Sequence, residues 1–243
     1  MTIKELTKIE KRFAKHWYEG EGIKYDPKNI NIKFIRYLMK YTAYHEAGHF
    51  AARVFTGFDI HHIESVSIIP DEKVLGRVMS ICIDELIFEK FPLPIRIPKG
   101  YVLLLGHLAG YGVEMIIEKS KYDNLIDYLY YEQTDVWEGD FYDMSEDINK
   151  ARRIAFLMSK PHWSKDRILS QAAKWTLEML RIPAVWNIVK NTVKILLQKG
   201  EVTSRNREIS KIINDPDFLN IYNIPKWKRR LLVKDKDMRL LLR

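Results

Sequence analysis

The sequence predicts a mainly α protein of the α+β class with one small β-sheet. Three observations lead there. Apolar residues recur every three or four positions along most of the chain, which is the period of an amphipathic helix. A single stretch near the middle, residues 63–83, switches to strand patterning. Only one cysteine, Cys82, is present among 243 residues, so neither a disulfide framework nor a thiolate-rich zinc site holds the fold. With 47% hydrophobic and 30% charged residues the chain is long and apolar enough to bury one large core or two small ones.

Taken in order, residues 3–18 read as a short amphipathic helix on the spacing of Ile3, Leu6, Ile9, Phe13 and Trp17. A loop rich in Gly, Asp, Pro and Asn follows, from Gly20 to Asn31. One long helix is expected over 32–56, with Ile35, Leu38, Met39, Ala43, Ala47, Phe50, Ala51 and Val54 as its apolar positions and Gly57 as its stop. Ile63 to Ile69 alternates as a half-buried strand and Pro70 ends it; Leu75 to Ile83 reads as its partner. Three prolines between Phe91 and Gly100 predict a loop or extended connection. Helices are expected at 101–119, 121–134 and 145–159, closed by Pro161, then at 165–181 and 184–199 up to Gly200, with a shorter one before Pro216. Residues 1–160 form the expected core. Residues 161–243 form a helical C-terminal region packed on it, since no flexible linker separates the two.

The formal net charge of +8 is concentrated at one end. From Lys226 onward there are eight Lys or Arg against Asp235 and Asp237. Such a tail can meet a nucleic acid or an anionic surface, although a solvated terminal helix is the plainer reading. The first twenty residues are charged throughout and contain no apolar core of a signal peptide. The most apolar stretch, Tyr101 to Ile117, holds His107, Glu114 and three glycines, and reads as a buried helix rather than a membrane span. No transmembrane segment is expected, and the expected location is cytoplasmic.

Chemistry concentrates in the long helix, where His45-Glu46-Ala47-Gly48-His49 forms an H-E-x-x-H motif. The i, i+4 spacing puts both imidazoles on one helical face, where they can chelate one ion. Glu46 lies beside that face, placed as a general base toward a metal-activated water. Gly48 costs about 1 kcal/mol relative to Ala in mid-helix, which makes sense if something approaches the helix closely there. Two histidines do not complete a zinc site. The third ligand must be another His, Asp or Glu, and spacing alone does not choose among them. The pair His61-His62 is better read as a loop before the strand than as further ligands.

Four stretches together resemble the peptidase domain of the FtsH-type ATP-dependent zinc metalloproteases. Tyr44 to Ala51 (YHEAGHFA) resembles that family's active-site helix, HEAGHA. Ser65 to Gly76 (SVSIIPDEKVLG) is similar to its KVSIIPRG-x-ALG segment. Ala109 to Ile116 (AGYGVEMI) is similar to its GGRAAEEL helix, and Ser145 to Met158 (SEDINKARRIAFLM) to its SND-x-xxAT-xxAR-xM helix. Order and spacing agree, and the resemblance covers residues 40–160.

The resemblance implies one zinc ion per chain, held by His45, His49 and Asp147, with Glu46 as catalytic base. It makes Glu114 a supporting group behind the ligands or an alternative ligand. It also implies a substrate strand at Leu75, Gly76, Arg77 and Val78, along which an extended peptide adds. The function implied is a zinc endopeptidase acting on unfolded or partner-delivered protein chains. Departures from the pattern are evident. No G-x-x-x-x-G-K-[ST] occurs, so the expectation is of a peptidase without the family's ATPase module or membrane anchor, ATP-independent by itself and open to supply by a separate ATPase. Asp143 and Met144 replace Gly and Ala before the ligand region, and Arg152 and Phe156 replace Thr and Arg within it. His107 and Tyr111 stand where the family has small residues or Arg. The family assembles as rings, so a homo-oligomer is a further expectation. A regulatory peptidase of one specific partner, or an FtsH-like interaction module without catalysis, are the alternative readings.

Overall fold

The structure is a computed structural model and describes residues 6–56, 63–70, 76–80, 92–131, 146–161 and 163–203, with Ile212 and Pro216. Its class is the one expected: mainly helical, with one three-stranded antiparallel sheet. Helix α1 (Lys8–Gly20) starts from a capping box in which Thr7 Oγ1 accepts the Glu10 N–H at 3.1 Å and Glu10 Oε2 accepts the Thr7 N–H at 2.7 Å. Phe13 and Ala14 seat it on the core, and Trp17 meets Phe34 edge-on at 5.1 Å.

Helix α2 (Ile32–Thr56) has the bounds the periodicity predicts. Its second half is buried nearly all round, from Glu46 through Ala52 and again at Val54 and Phe55, so it runs through the middle of the molecule. Strands β1 (Ile63–Ser67) and β2 (Arg77–Ser80) pair antiparallel with Val66 opposite Val78. Leu75, His61, His62 and Cys82 lie outside the described residues, as do the basic tail and residues 3–5 and 132–134, while the helices expected from 3 and from 121 begin only at Lys8, after the Thr7 cap, and at Leu125.

The expected connection over 91–100 is instead largely helix. Helix α3 (Leu93–Ile117) begins eight residues before the predicted start. Pro92 is its N-cap and Pro94 lies in its first turn, where backbone N–H groups have no helical partner to lose. Pro98 removes one hydrogen bond near that end, a local loss outweighed by the long apolar run that follows. Prolines clustered at a helix start read as a loop when only their number is weighed. Among the described residues, Arg96–Ile117 is long and apolar enough to cross a membrane, but 78% of its most apolar window is already covered by the fold.

Helices α4 (Leu125–Tyr131), α5 (Glu146–Met158), α6 (Lys165–Leu180) and α7 (Pro183–Lys199) complete the helical layer, and β3 (Glu201–Thr203) joins the sheet in the order β2-β1-β3. One contiguous hydrophobic cluster includes Phe50 and Val54 of α2, Leu104 and Leu108 of α3, Leu180 of α6 and Ile188 of α7. The close approach that Gly48 suggests is real. A Cβ there would stand 2.5 Å from the Ala109 carbonyl oxygen and 2.9 Å from Val113 Cγ2, so α3 packs backbone-close against α2 at the motif.

Candidate metal centre

The α2–α3 contact positions the motif histidines. Packing at Gly48 brings α3 alongside His45 and His49, and α3 supplies a hydrogen-bond partner for each. His45 Nδ1 lies 2.6 Å from Glu114 Oε1, and His49 Nδ1 lies 2.7 Å from the Gly106 carbonyl oxygen. Both partners are acceptors, so each Nδ1 carries a proton, and in the neutral form of each ring Nε2 is the atom left with a lone pair.

The two Nε2 atoms face each other 2.9 Å apart. Asp147, in the first turn of α5, adds Oδ2 at 3.1 Å from His49 Nε2 and 3.9 Å from His45 Nε2. A proton on one imidazole Nε2 can bridge atoms at these separations, and so can a metal ion held by all three. Donors bound about 2.0–2.1 Å from one tetrahedral ion stand about 3.3 Å apart, and the three separations straddle that value. His45, His49 and Asp147 are thus a group that can hold a metal ion, their donor atoms all within 4.8 Å of one another.

The electrostatics agree. Burial pulls the His45 pKa down, but the carboxylates of Glu114 and Asp147 outweigh it and hold the imidazole well above its ordinary value. For Asp147, burial pushes the carboxyl up and His49 and His107 more than reverse it, leaving the pKa well below the carboxylate range. Each result describes a site that favours positive charge among its donors.

Glu46 is different. It is 5% exposed, its Oε2 has no hydrogen-bond partner among the described residues, and burial raises its pKa against the opposing pull of His49 and His45. Its carboxylate lies under the entry to β2. A Cβ at Gly76 would come 2.8 Å from Glu46 Cγ and 2.9 Å from Oε1, so only glycine lets the strand backbone pass over it. Arg53 Nη1, two turns further along α2, donates to the Val78 carbonyl at 3.4 Å and ties β2 to the same helix. β2 is an edge strand of the described sheet.

The residues singled out in the sequence therefore fall into one neighbourhood. His45, His49 and Asp147 converge, Glu46 lies beside them, and Glu114 stands behind His45 as a hydrogen-bond partner rather than as one of the converging donors. Gly76, Arg77 and Val78 lie at the start of the edge strand, while Leu75 is outside the described residues.

Two contributors went unread in the sequence. His107 Nδ1 lies 2.7 Å from Asp147 Oδ1. Gly110 passes so close to the imidazoles that a Cβ would stand 2.6 Å from His45 Nε2 and 2.7 Å from His49 Nε2. The signal for both was their spacing with Glu114: positions 107, 110 and 114 share one face of α3. Tyr111 flanks the centre edge-on to His45, its ring centroid 4.9 Å away.

No protein-family model matches the chain, and no curated protein matches it. The functional reading therefore rests on this geometry and on the motif resemblance.

Proposed function

We propose that the chain is a zinc-dependent endopeptidase, with His45, His49 and Asp147 as metal ligands and Glu46 as general base, and that it is FtsH-like in this part of its fold. The observation that carries the reading is the pairing of two unlike features in one place. Three potential metal donors converge, all within 4.8 Å of one another, and beside them a buried carboxylate has an oxygen with no hydrogen-bond partner among the described residues. Two imidazoles and one carboxylate suit zinc, and three protein ligands are the number a catalytic zinc site uses. When bound, zinc would lower the pKa of a water molecule and polarise the scissile carbonyl.

The chain's own residues do the rest. Glu114 and the Gly106 carbonyl fix the tautomers of His45 and His49, so that Nε2 of each is the donor. Glu46 accepts the proton of the attacking water and returns it to the leaving amine, a task suited to a carboxylate that burial has made more basic. The edge of β2 holds an extended stretch of substrate by strand addition. That requirement selects unfolded or flexible segments, because a chain held in a fold is not free to extend through the centre on both sides of the bond to be cut.

The test is hydrolysis of an unfolded, fluorescence-quenched protein by the zinc-loaded chain beside Glu46→Gln. Activity lost on substitution and on chelation supports the reading. Equal activity in the two proteins, with zinc bound to both, sinks it.

A further inference from the structure

Helix α3 provides one hydrogen-bond partner to each of the three converging donors. Gly106 takes the His49 N–H through its carbonyl, Glu114 takes that of His45, and His107 meets Asp147. We propose that His107 is a positioning residue for the metal, donating from Nδ1 to Asp147 Oδ1 so that Asp147 presents Oδ2, and only Oδ2, to the ion. The inference rests on the reading that His45, His49 and Asp147 bind zinc.

Asp147 needs such a partner more than the histidines do. Both imidazoles stand on α2, with side chains 6% exposed at His49 and 16% at His45, whereas the Asp147 side chain is 30% exposed and lies in the first turn of a different helix. A carboxylate has two equivalent oxygens and a short side chain that can turn to solvent. Here the oxygens are divided: Oδ1 is 2.7 Å from His107 Nδ1, and Oδ2 is 3.1 Å from His49 Nε2. Because Oδ1 is an acceptor, His107 Nδ1 carries a proton and has no lone pair with which to bind metal itself. Its side chain is 13% exposed, so water competes poorly for the bond. The usual arrangement has a carboxylate orienting a metal-bound histidine, as Glu114 does for His45. At Asp147 the roles are exchanged.

Two substitutions separate this role from simple tethering of α3 to α5. His107→Phe keeps a flat ring but has no donor. His107→Asn places an amide N–H close to the position of Nδ1. Zinc affinity is measured by competition with a chromogenic chelator, and coordination by the visible spectrum of the cobalt(II) form. The expected result is a 10–100-fold weaker zinc affinity and an altered cobalt spectrum in His107→Phe, with both restored to within a few-fold of wild type in His107→Asn. Equal zinc affinity in wild type and His107→Phe overturns the proposal, as does a His107→Asn protein as weak as His107→Phe. A cobalt spectrum showing four protein ligands, with His107 among them, also overturns it. The readout is independent of catalysis, so a chain that binds zinc and hydrolyses nothing rejects the peptidase reading while this test still decides on His107. A wild-type chain that takes up no zinc rejects both.

Discussion

Two buried glutamates, one near the start of the chain and one in the long central helix, are treated in opposite ways. Glu10 is 7% exposed and Glu46 is 5% exposed, so both carboxylates have lost most of their water. Glu10 has every need met: Oε2 accepts the Thr7 N–H at 2.7 Å and Oε1 accepts the Arg36 guanidinium at 2.7 Å. Burial pushes its pKa up, and Arg36 and the Thr7 N–H more than reverse this, so the carboxyl lies below its usual value. Glu46 keeps an oxygen without a partner, and its pKa is raised. An unpaired buried oxygen costs about 1–3 kcal/mol. Glu114 Oε2, also buried, likewise lacks a partner among the described residues, but its Oε1 is taken up by His45 Nδ1. Glu10 helps hold the fold together, whereas the raised pKa of Glu46 suits the proton-accepting role proposed for it.

The largest expected effect falls on catalysis. Glu46→Gln should lower hydrolysis by about 10²–10⁴-fold while leaving zinc affinity and melting temperature close to wild type. Activity that survives the substitution would remove the functional side of the contrast. Next comes Gly110→Ala, whose new methyl collides with both imidazoles; overpacking of this kind costs about 1–3 kcal/mol. It should weaken zinc binding in dialysis as well as lower the melting temperature.

Glu10→Gln should do the reverse of Glu46→Gln, with no change in hydrolysis. Weakening the cap and the ion pair should cost about 0.5–2 kcal/mol of stability in urea titrations. The pH dependence follows from the direction of the shift. A carboxyl lowered in the folded state contributes stability that is fully present above its unfolded pKa of about 4.3 and is lost as pH falls through the folded value. The gap between wild type and Glu10→Gln should therefore be full near neutral pH and close in acid. The smallest effect belongs to Gly106→Ala. A Cβ there meets nothing within 4 Å, and its carbonyl bond to His49 is retained. Helix propensity alone should then leave stability unchanged or raise it by up to about 1 kcal/mol.

Much of this was legible in the sequence. The bounds of α2, the two central strands and the H-E-x-x-H face follow from periodicity, because burial on one side of a regular element leaves a repeating trace. Gly48 announced the close approach of α3, since a mid-helix glycine is costly without a reason. Thr7-x-x-Glu10 is equally readable as a capping box that starts α1 at Lys8. Other features leave no such trace. The start of α3 was hidden by its prolines, whose meaning depends on whether they fall inside the first turn or beyond it. Spacing within one helix finds His45 and His49, but Asp147 comes from a helix about 100 residues on and was named only through the motif resemblance. The role of His107 depends on that tertiary meeting and is invisible until α3 and α5 are placed side by side.

The central claim is that His45, His49 and Asp147 face one another because a metal ion belongs among them. Equilibrium dialysis with zinc, read by elemental analysis, tests it most directly on the wild-type chain, Glu46→Gln and Asp147→Asn. The account predicts one zinc per chain in the first two and much weaker uptake in the third, with all three proteins folded by circular dichroism. A folded wild-type chain that takes up no zinc, or an Asp147→Asn chain that holds it as tightly as wild type, would contradict the account.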